Sequence, residues 1–65
     1  MDKKISIILS TYNEAPFIVQ TINEILNNIK NVEIILVDDS SSDGTLEKVK
    51  NVNNPNIKIF SRKFR

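Results

Sequence analysis

Glu33-Ile34-Ile35-Leu36-Val37-Asp38-Asp39-Ser40-Ser41-Ser42-Asp43-Gly44-Thr45 decides the fold of this chain: an apolar run ends on two adjacent carboxylates and is followed by a Ser-rich turn. The short apolar run, bounded by polar residues, reads as a buried strand over residues 33–37. In an open α/β sheet, ligands gather in the crevice outside the carboxyl ends of the strands, so acids delivered there are candidates for binding. The candidate site therefore starts at Asp38 and Asp39.

On the amino-terminal side, residues 4–10 (Lys4-Ile5-Ser6-Ile7-Ile8-Leu9-Ser10) carry the same β-branched signature and predict a first strand buried on both faces. Thr11-Tyr12-Asn13-Glu14-Ala15 breaks that run, and Pro16 suits the first turn of a helix, where its missing N–H is not needed. Ile18, Ile22, Ile25, Leu26 and Ile29 recur at helical spacing, with Gln20, Asn23, Glu24 and Asn27 turned away, and Asn31 closes the helix.

On the carboxyl side, Ser42 or Asp43 is placed to cap a second helix with a narrow apolar edge of Leu46 and Val49. Asn53-Asn54-Pro55-Asn56 is a turn cluster, and residues 57–61 (Ile57-Lys58-Ile59-Phe60-Ser61) alternate as a third, more exposed strand. The order is β-α-β-α-β. Strands joined by helices of this size pair in parallel through right-handed crossovers, which predicts a three-stranded sheet in the order 3-2-1 with both helices on one face. The first two strands are apolar on both sides, yet nothing in the sequence is left to cover the second face. Residues 1–65 are expected to be the amino-terminal part of a single larger domain.

Length and composition narrow the chemistry. At 65 residues the chain lies below the roughly 70–80 at which one core supplies comfortable stability, so the isolated segment is expected to self-associate through uncovered apolar surface. With no His and no Cys, thiol nucleophiles and zinc sites of the thiolate or imidazole kind are excluded; a metal here would be a hard cation on carboxylates. A formal charge of +1, nine basic against eight acidic residues spread along the chain, gives no field to draw nucleic acid. The first apolar run is far too short for a signal peptide or membrane span, so a cytoplasmic, soluble segment is expected. The single glycine, Gly44, excludes a dinucleotide fingerprint and a phosphate-cradling P-loop, and with them a P-loop ATPase reading of the acidic strand.

At each candidate position a structural role stands beside a functional one. Glu14 could serve as an acid in the first turn of a helix, Tyr12 as an aromatic at the edge of the core, and Asp43 as a helix cap in preference to a ligand. Asp38 is read as structural, bonding backbone N–H groups of the turn. For Asp39 the position at the end of a buried strand favours a ligand role. Arg62, Lys63 and Arg65 are read as a solvated basic tail in preference to a phosphate contact.

Thr11-Tyr12-Asn13-Glu14 after the first strand and Val37-Asp38-Asp39-Ser40-Ser41-Ser42-Asp43-Gly44-Thr45 closing the second resemble the amino-terminal part of a family-2 glycosyltransferase, over essentially the whole chain. The resemblance implies an α/β fold of the GT-A type, a Rossmann-like nucleotide-binding half, and an inverting enzyme that moves a hexose from a nucleoside diphosphate sugar to an acceptor. Phe60-Ser61-Arg62-Lys63-Phe64-Arg65 is similar to the Ser-Arg-Asn-Phe-Gly segment of the polyprenyl-phosphate and dolichol-phosphate sugar transferases, with Lys63 in place of Asn and Arg65 in place of Gly. That narrower likeness implies a polyprenyl phosphate acceptor and a place at the inner membrane face for the full-length protein. Ser10 replaces a frequent Pro and Ser40 a frequent Gly of the family pattern.

An ionised carboxylate is an acceptor only, so Asp39 suits the base N–H of uracil or guanine and Glu14 the ribose hydroxyls, the roles the resemblance also implies. Thr11 and Tyr12 would line the base pocket, and Asp38 also reaches the nucleotide in some members of the family. The resemblance further implies Mg²⁺ or Mn²⁺, held by an Asp-x-Asp pair that this chain lacks, with no catalytic or metal residue inside the segment. Two other classes are weighed against the enzyme: a non-catalytic remnant or interaction module, and a receiver-like domain whose acid pair holds magnesium. The receiver pair, however, closes the first strand of its domain and not the second.

Overall fold

A computed structural model describes residues 3–62. The expected order is present: β1 (Ile5–Thr11), α1 (Ala15–Asn28), β2 (Val32–Asp39), α2 (Thr45–Val52) and β3 (Ile57–Arg62). The sheet runs β1-β2-β3 and both pairings are parallel. Lys63, Phe64 and Arg65, read above as part of a basic tail and of the narrower family likeness, lie outside the described residues.

Register and the two-residue period of a strand sort the side chains into two faces. Ile7, Leu9 and Thr11 of β1 lie level with Ile34, Leu36 and Asp38 of β2, which lie level with Ile57, Ile59 and Ser61 of β3. This face carries both helices. Ile18 and Ile22 of α1, Val49 of α2, and Ile34 and Leu36 of β2 form one buried cluster. Leu9, Ile25, Leu26, Leu46, Ile57 and Ile59 pack partly buried around it. Burying a side chain of this size is worth about 1.5–3 kcal/mol, so this shared core is what holds the helices to the sheet.

The other face presents Ser6, Ile8 and Ser10, then Glu33, Ile35, Val37 and Asp39, then Lys58, Phe60 and Arg62. It lies open: Ile8 is 67% exposed and Phe60 55%. The expectation of a β1 buried on both faces therefore fails within this chain, because no described element packs on the second side.

Local chemistry sets the element ends. Pro16 occupies the first turn of α1, and the Glu14 carbonyl accepts the N–H groups of Phe17 and Ile18. The helix ends at Asn28, and Ile29, expected inside it, is already extended. Asn31 takes a left-handed φ of 56° that turns the chain into β2, and its carbonyl accepts the Ile5 N–H. Strand β2 runs through the acid pair instead of stopping at Val37, because Asp38 pairs with Thr11 and Ser61, and Asp39 with Arg62. The N-cap position of α2 falls on Gly44 at φ 88°, just beyond the expected Ser42 or Asp43, while the Asp43 side chain accepts the free Thr45 N–H. No helix among the described residues is long and apolar enough to cross a membrane.

Candidate functional site

All three strands run in parallel, so their carboxyl ends share one edge: Thr11 of β1, Asp38 and Asp39 of β2, and Ser61 and Arg62 of β3. The loops that start α1 and α2 rise from this edge, and Thr11, Tyr12, Glu14, Asp38 and Asp39 lie at it.

The adjacent aspartates have opposite surroundings, as strand alternation requires. Asp38 points into the helix-covered side and is fully buried. Its Oδ1 accepts the Thr11 hydroxyl at 2.9 Å and the Ser41 hydroxyl at 2.6 Å, and its Oδ2 accepts the Ser41 N–H at 2.9 Å. Burial pushes this carboxyl up, but the hydrogen bonds from the Ser41 hydroxyl, the Ser41 N–H and Thr11 outweigh it and hold Asp38 below the usual carboxylate range. Asp38 thus bonds the Ser41 N–H of the turn, and its other two donors are hydroxyls, one of them across the sheet.

Asp39 points to the open side, with its side chain 37% exposed. Its Oδ2 lies 4.0 Å from an Arg62 guanidinium nitrogen, while Oδ1 is covered and accepts no hydrogen bond. A charged acceptor left without a donor is costly, and this oxygen is the one buried side-chain polar atom without a partner among the described residues.

Of the other expected site residues, Thr11 is 3% exposed, with its hydroxyl committed to Asp38. Tyr12 is 61% exposed. Glu14 caps α1, its N–H donating to Thr45 Oγ1 at 3.0 Å while its side chain is exposed. The structure therefore joins Thr11 to Asp38 and leaves Tyr12, Glu14 and Asp39 accessible at the same edge.

A second group of residues ties the loops together; sequence reasoning missed Asn13 and Ser40 in it and read Asp43 as a cap. Asn13, at φ 53°, donates its N–H to Ser41 Oγ at 2.8 Å and accepts the Ser42 N–H on its side-chain oxygen at 2.8 Å. Ser40, at φ 60°, donates its hydroxyl to the Arg62 carbonyl at 2.7 Å. Asp43 accepts the N–H and hydroxyl of Thr45 on one oxygen and the Ala15 N–H on the other, so one carboxylate serves the first turns of both helices. The hydrogen bond from Thr45 lowers the Asp43 carboxyl most, burial opposes it, and the backbone N–H groups of Ala15 and Thr45 lower it further. The clue in the sequence was the crowding of Asn, Ser and Asp in both loops, the residues that accept left-handed backbone and cap free N–H groups.

Among the described residues no three His, Cys, Asp or Glu side chains come together to hold a metal ion. The receiver-like alternative fails on the same geometry, since its two acids would have to converge and here they lie on opposite faces of the sheet.

A glycosyl transferase family 2 model matches residues 6–65. An uncharacterized glycosyltransferase of Mycoplasma genitalium is 38% identical over 64 residues, covering 88% of this chain and 22% of the relative. The mannosyltransferase PcManGT of Pyrobaculum calidifontis, solved in complex with GDP-Man and Mn²⁺, superposes with a TM-score of 0.73 at 28% identity, covering 92% of this chain and 19% of that one. The chain spans about a fifth of the length of each.

Proposed function

From the premise that this chain belongs to glycosyltransferase family 2, we propose that its sheet edge is the nucleotide-recognising half of the donor site of an inverting hexosyltransferase. The observation that carries the reading is the unpartnered Oδ1 of Asp39 at the carboxyl end of the central strand. A carboxylate needs a donor, and the N–H of uracil or guanine is one; the Asp39 side chain is 37% exposed, and a change of its side-chain rotamer would turn the unpartnered oxygen out to the ligand. Tyr12 offers an exposed ring to the base, and Glu14 an exposed carboxylate to the ribose hydroxyls. Thr11 and Asp38 serve this site from beneath, by fixing the ends of β1 and β2 to one another.

A divalent metal, when bound, supplies charge neutralisation on the departing nucleoside diphosphate. The described carboxylates do not fit that ion: Asp38 and Asp43 are committed to hydrogen-bond donors, and Asp39 lies beside Arg62. In this reading the Mg²⁺ or Mn²⁺ ligands belong to other parts of the full-length protein.

The open sheet face, with Ile8 and Phe60 exposed, is the surface on which the rest of the catalytic domain packs in this reading. The acceptor is a polyprenyl phosphate, supported by the likeness of residues 60–65 to the transferases of lipid phosphates. Such an acceptor is already anionic and needs little deprotonation.

Replacing Asp39 by Ala in the full-length protein is expected to raise the donor dissociation constant by about tenfold or more, the equivalent of ~1.5–3 kcal/mol for a hydrogen bond to a charged group. Isothermal titration with UDP- and GDP-sugars measures it, and an unchanged affinity rejects the assignment.

A further inference from the structure

Asn13, itself exposed, lies between Tyr12 and Glu14, the two residues that the donor-site reading uses on the β1–α1 loop. Its backbone N–H and its side-chain oxygen both reach across to the β2–α2 loop, to Ser41 and to the Ser42 N–H. We infer that Asn13 is a positioning residue for nucleotide recognition: its two bonds lock the loop bearing Tyr12 and Glu14 to the loop that follows Asp39. The inference rests on the donor-site reading and adds to it a residue with no contact to the ligand.

Three features of the fold make Asn13 the joint. Only Tyr12, Asn13 and Glu14 separate β1 from α1, so one fixed residue in the middle sets the directions of both neighbours. The serine that Asn13 reaches is itself held by Asp38, through its hydroxyl and its N–H, so the joint is anchored to a buried carboxylate at the end of β2. Ser40 extends the same loop to the Arg62 carbonyl, so the ends of all three strands are bound into one frame. Asn13 also sits at φ 53°, a region that Asn and Asp tolerate better than other side chains carrying a Cβ. One residue thus supplies the turn and the cross-loop acceptor. Groups held in place before the ligand arrives lose less freedom on binding, and the benefit appears as affinity.

Two substitutions separate these contributions. Asn13→Gly keeps the left-handed backbone and removes the acceptor, whereas Asn13→Asp keeps both. The bonds from Glu14 and Ala15 to Thr45 and Asp43 are untouched in either variant, so α1 retains its start.

The test is calorimetric titration of the full-length protein with UDP and with GDP. Asn13→Gly is expected to weaken binding of the preferred nucleotide about tenfold at an unchanged number of sites per chain, with Asn13→Asp within about twofold of the parent. A merely structural role would instead lower the number of competent sites and leave the dissociation constant alone. That result, a parental constant in Asn13→Gly, or equal losses in Asn13→Gly and Asn13→Asp would each overturn the inference. Asp39→Ala, titrated in parallel, separates the two failures. If Asp39→Ala binds like the parent, the donor-site reading falls; if it binds weakly while Asn13→Gly binds like the parent, only the role of Asn13 falls.

Discussion

The two faces of this sheet carry the same three strands but opposite chemistry. On the covered face, Ile34 and Leu36 lead to Asp38, and both oxygens of its carboxylate are matched inside the protein. On the open face, Ile35 and Val37 lead to Asp39, whose Oδ1 is unmatched, and apolar side chains such as Ile8 and Phe60 meet solvent. A step of one residue along a strand moves a carboxylate from scaffold to candidate ligand. Two adjacent acids in a motif therefore need not share a function, and the strand period decides which does which.

The comparison can be broken most forcefully at Asp38. Asp38→Ala leaves the Thr11 hydroxyl and both Ser41 donors without an acceptor beneath the helices, and is expected to cost about 3 kcal/mol of stability. Asp39→Ala loosens the 4.0 Å ion pair with Arg62, a partly exposed contact of small worth, and its stability should stay within about 0.5 kcal/mol of the parent. Chemical denaturation of the two variants measures the contrast, and equal losses would erase the division between the faces.

Acid sharpens the same contrast with a smaller effect. The Asp38 and Asp43 carboxyls are both lower in the folded protein than their ordinary values, so the unfolded chain binds protons first as pH falls. Their contribution is fully present above the unfolded value of about 3.9 and is lost as pH drops through the folded values. Stability should therefore be level from neutrality to about pH 5 and decline below about pH 4. In Asp38→Ala that decline should be shallower, as seen in melting curves across the range.

Most of the fold was legible because its signals are local. Period-two and period-3.6 apolar patterns gave five elements in the right order, and the parallel sheet follows from their alternation. The ends of the elements were less legible, because partners remote in sequence determine them. Strand β2 continues through Asp39 only because Thr11, Ser61 and Arg62 offer rungs on either side. The α2 boundary falls at Gly44, and Asp43 before it bonds both the Thr45 N–H and the Ala15 N–H of the other helix, a partner 28 residues away.

The same holds at the candidate site. Asp38 and Asp39 could be singled out from their place after an apolar run, and their separation onto two faces was implicit in the alternation. The role of Asn13 was not, since it depends on Ser41 and Ser42, nearly half the chain away, and on a left-handed φ that sequence alone leaves open. Thr11, placed by sequence in the base pocket, has its hydroxyl turned to Asp38 by the β1–β2 register.

The most direct test of the division between Asp38 and Asp39 is a comparison of UDP with N3-methyl-UDP, and of GDP with N1-methyl-GDP, titrated into the full-length protein and its Asp39→Ala variant. Methylation deletes the base N–H and leaves the ribose and diphosphate intact. The parent should prefer the unmethylated form of its nucleotide by about tenfold or more, and the variant should lose that preference. Equal binding of the two forms by the parent, or a preference that survives in Asp39→Ala, would contradict it.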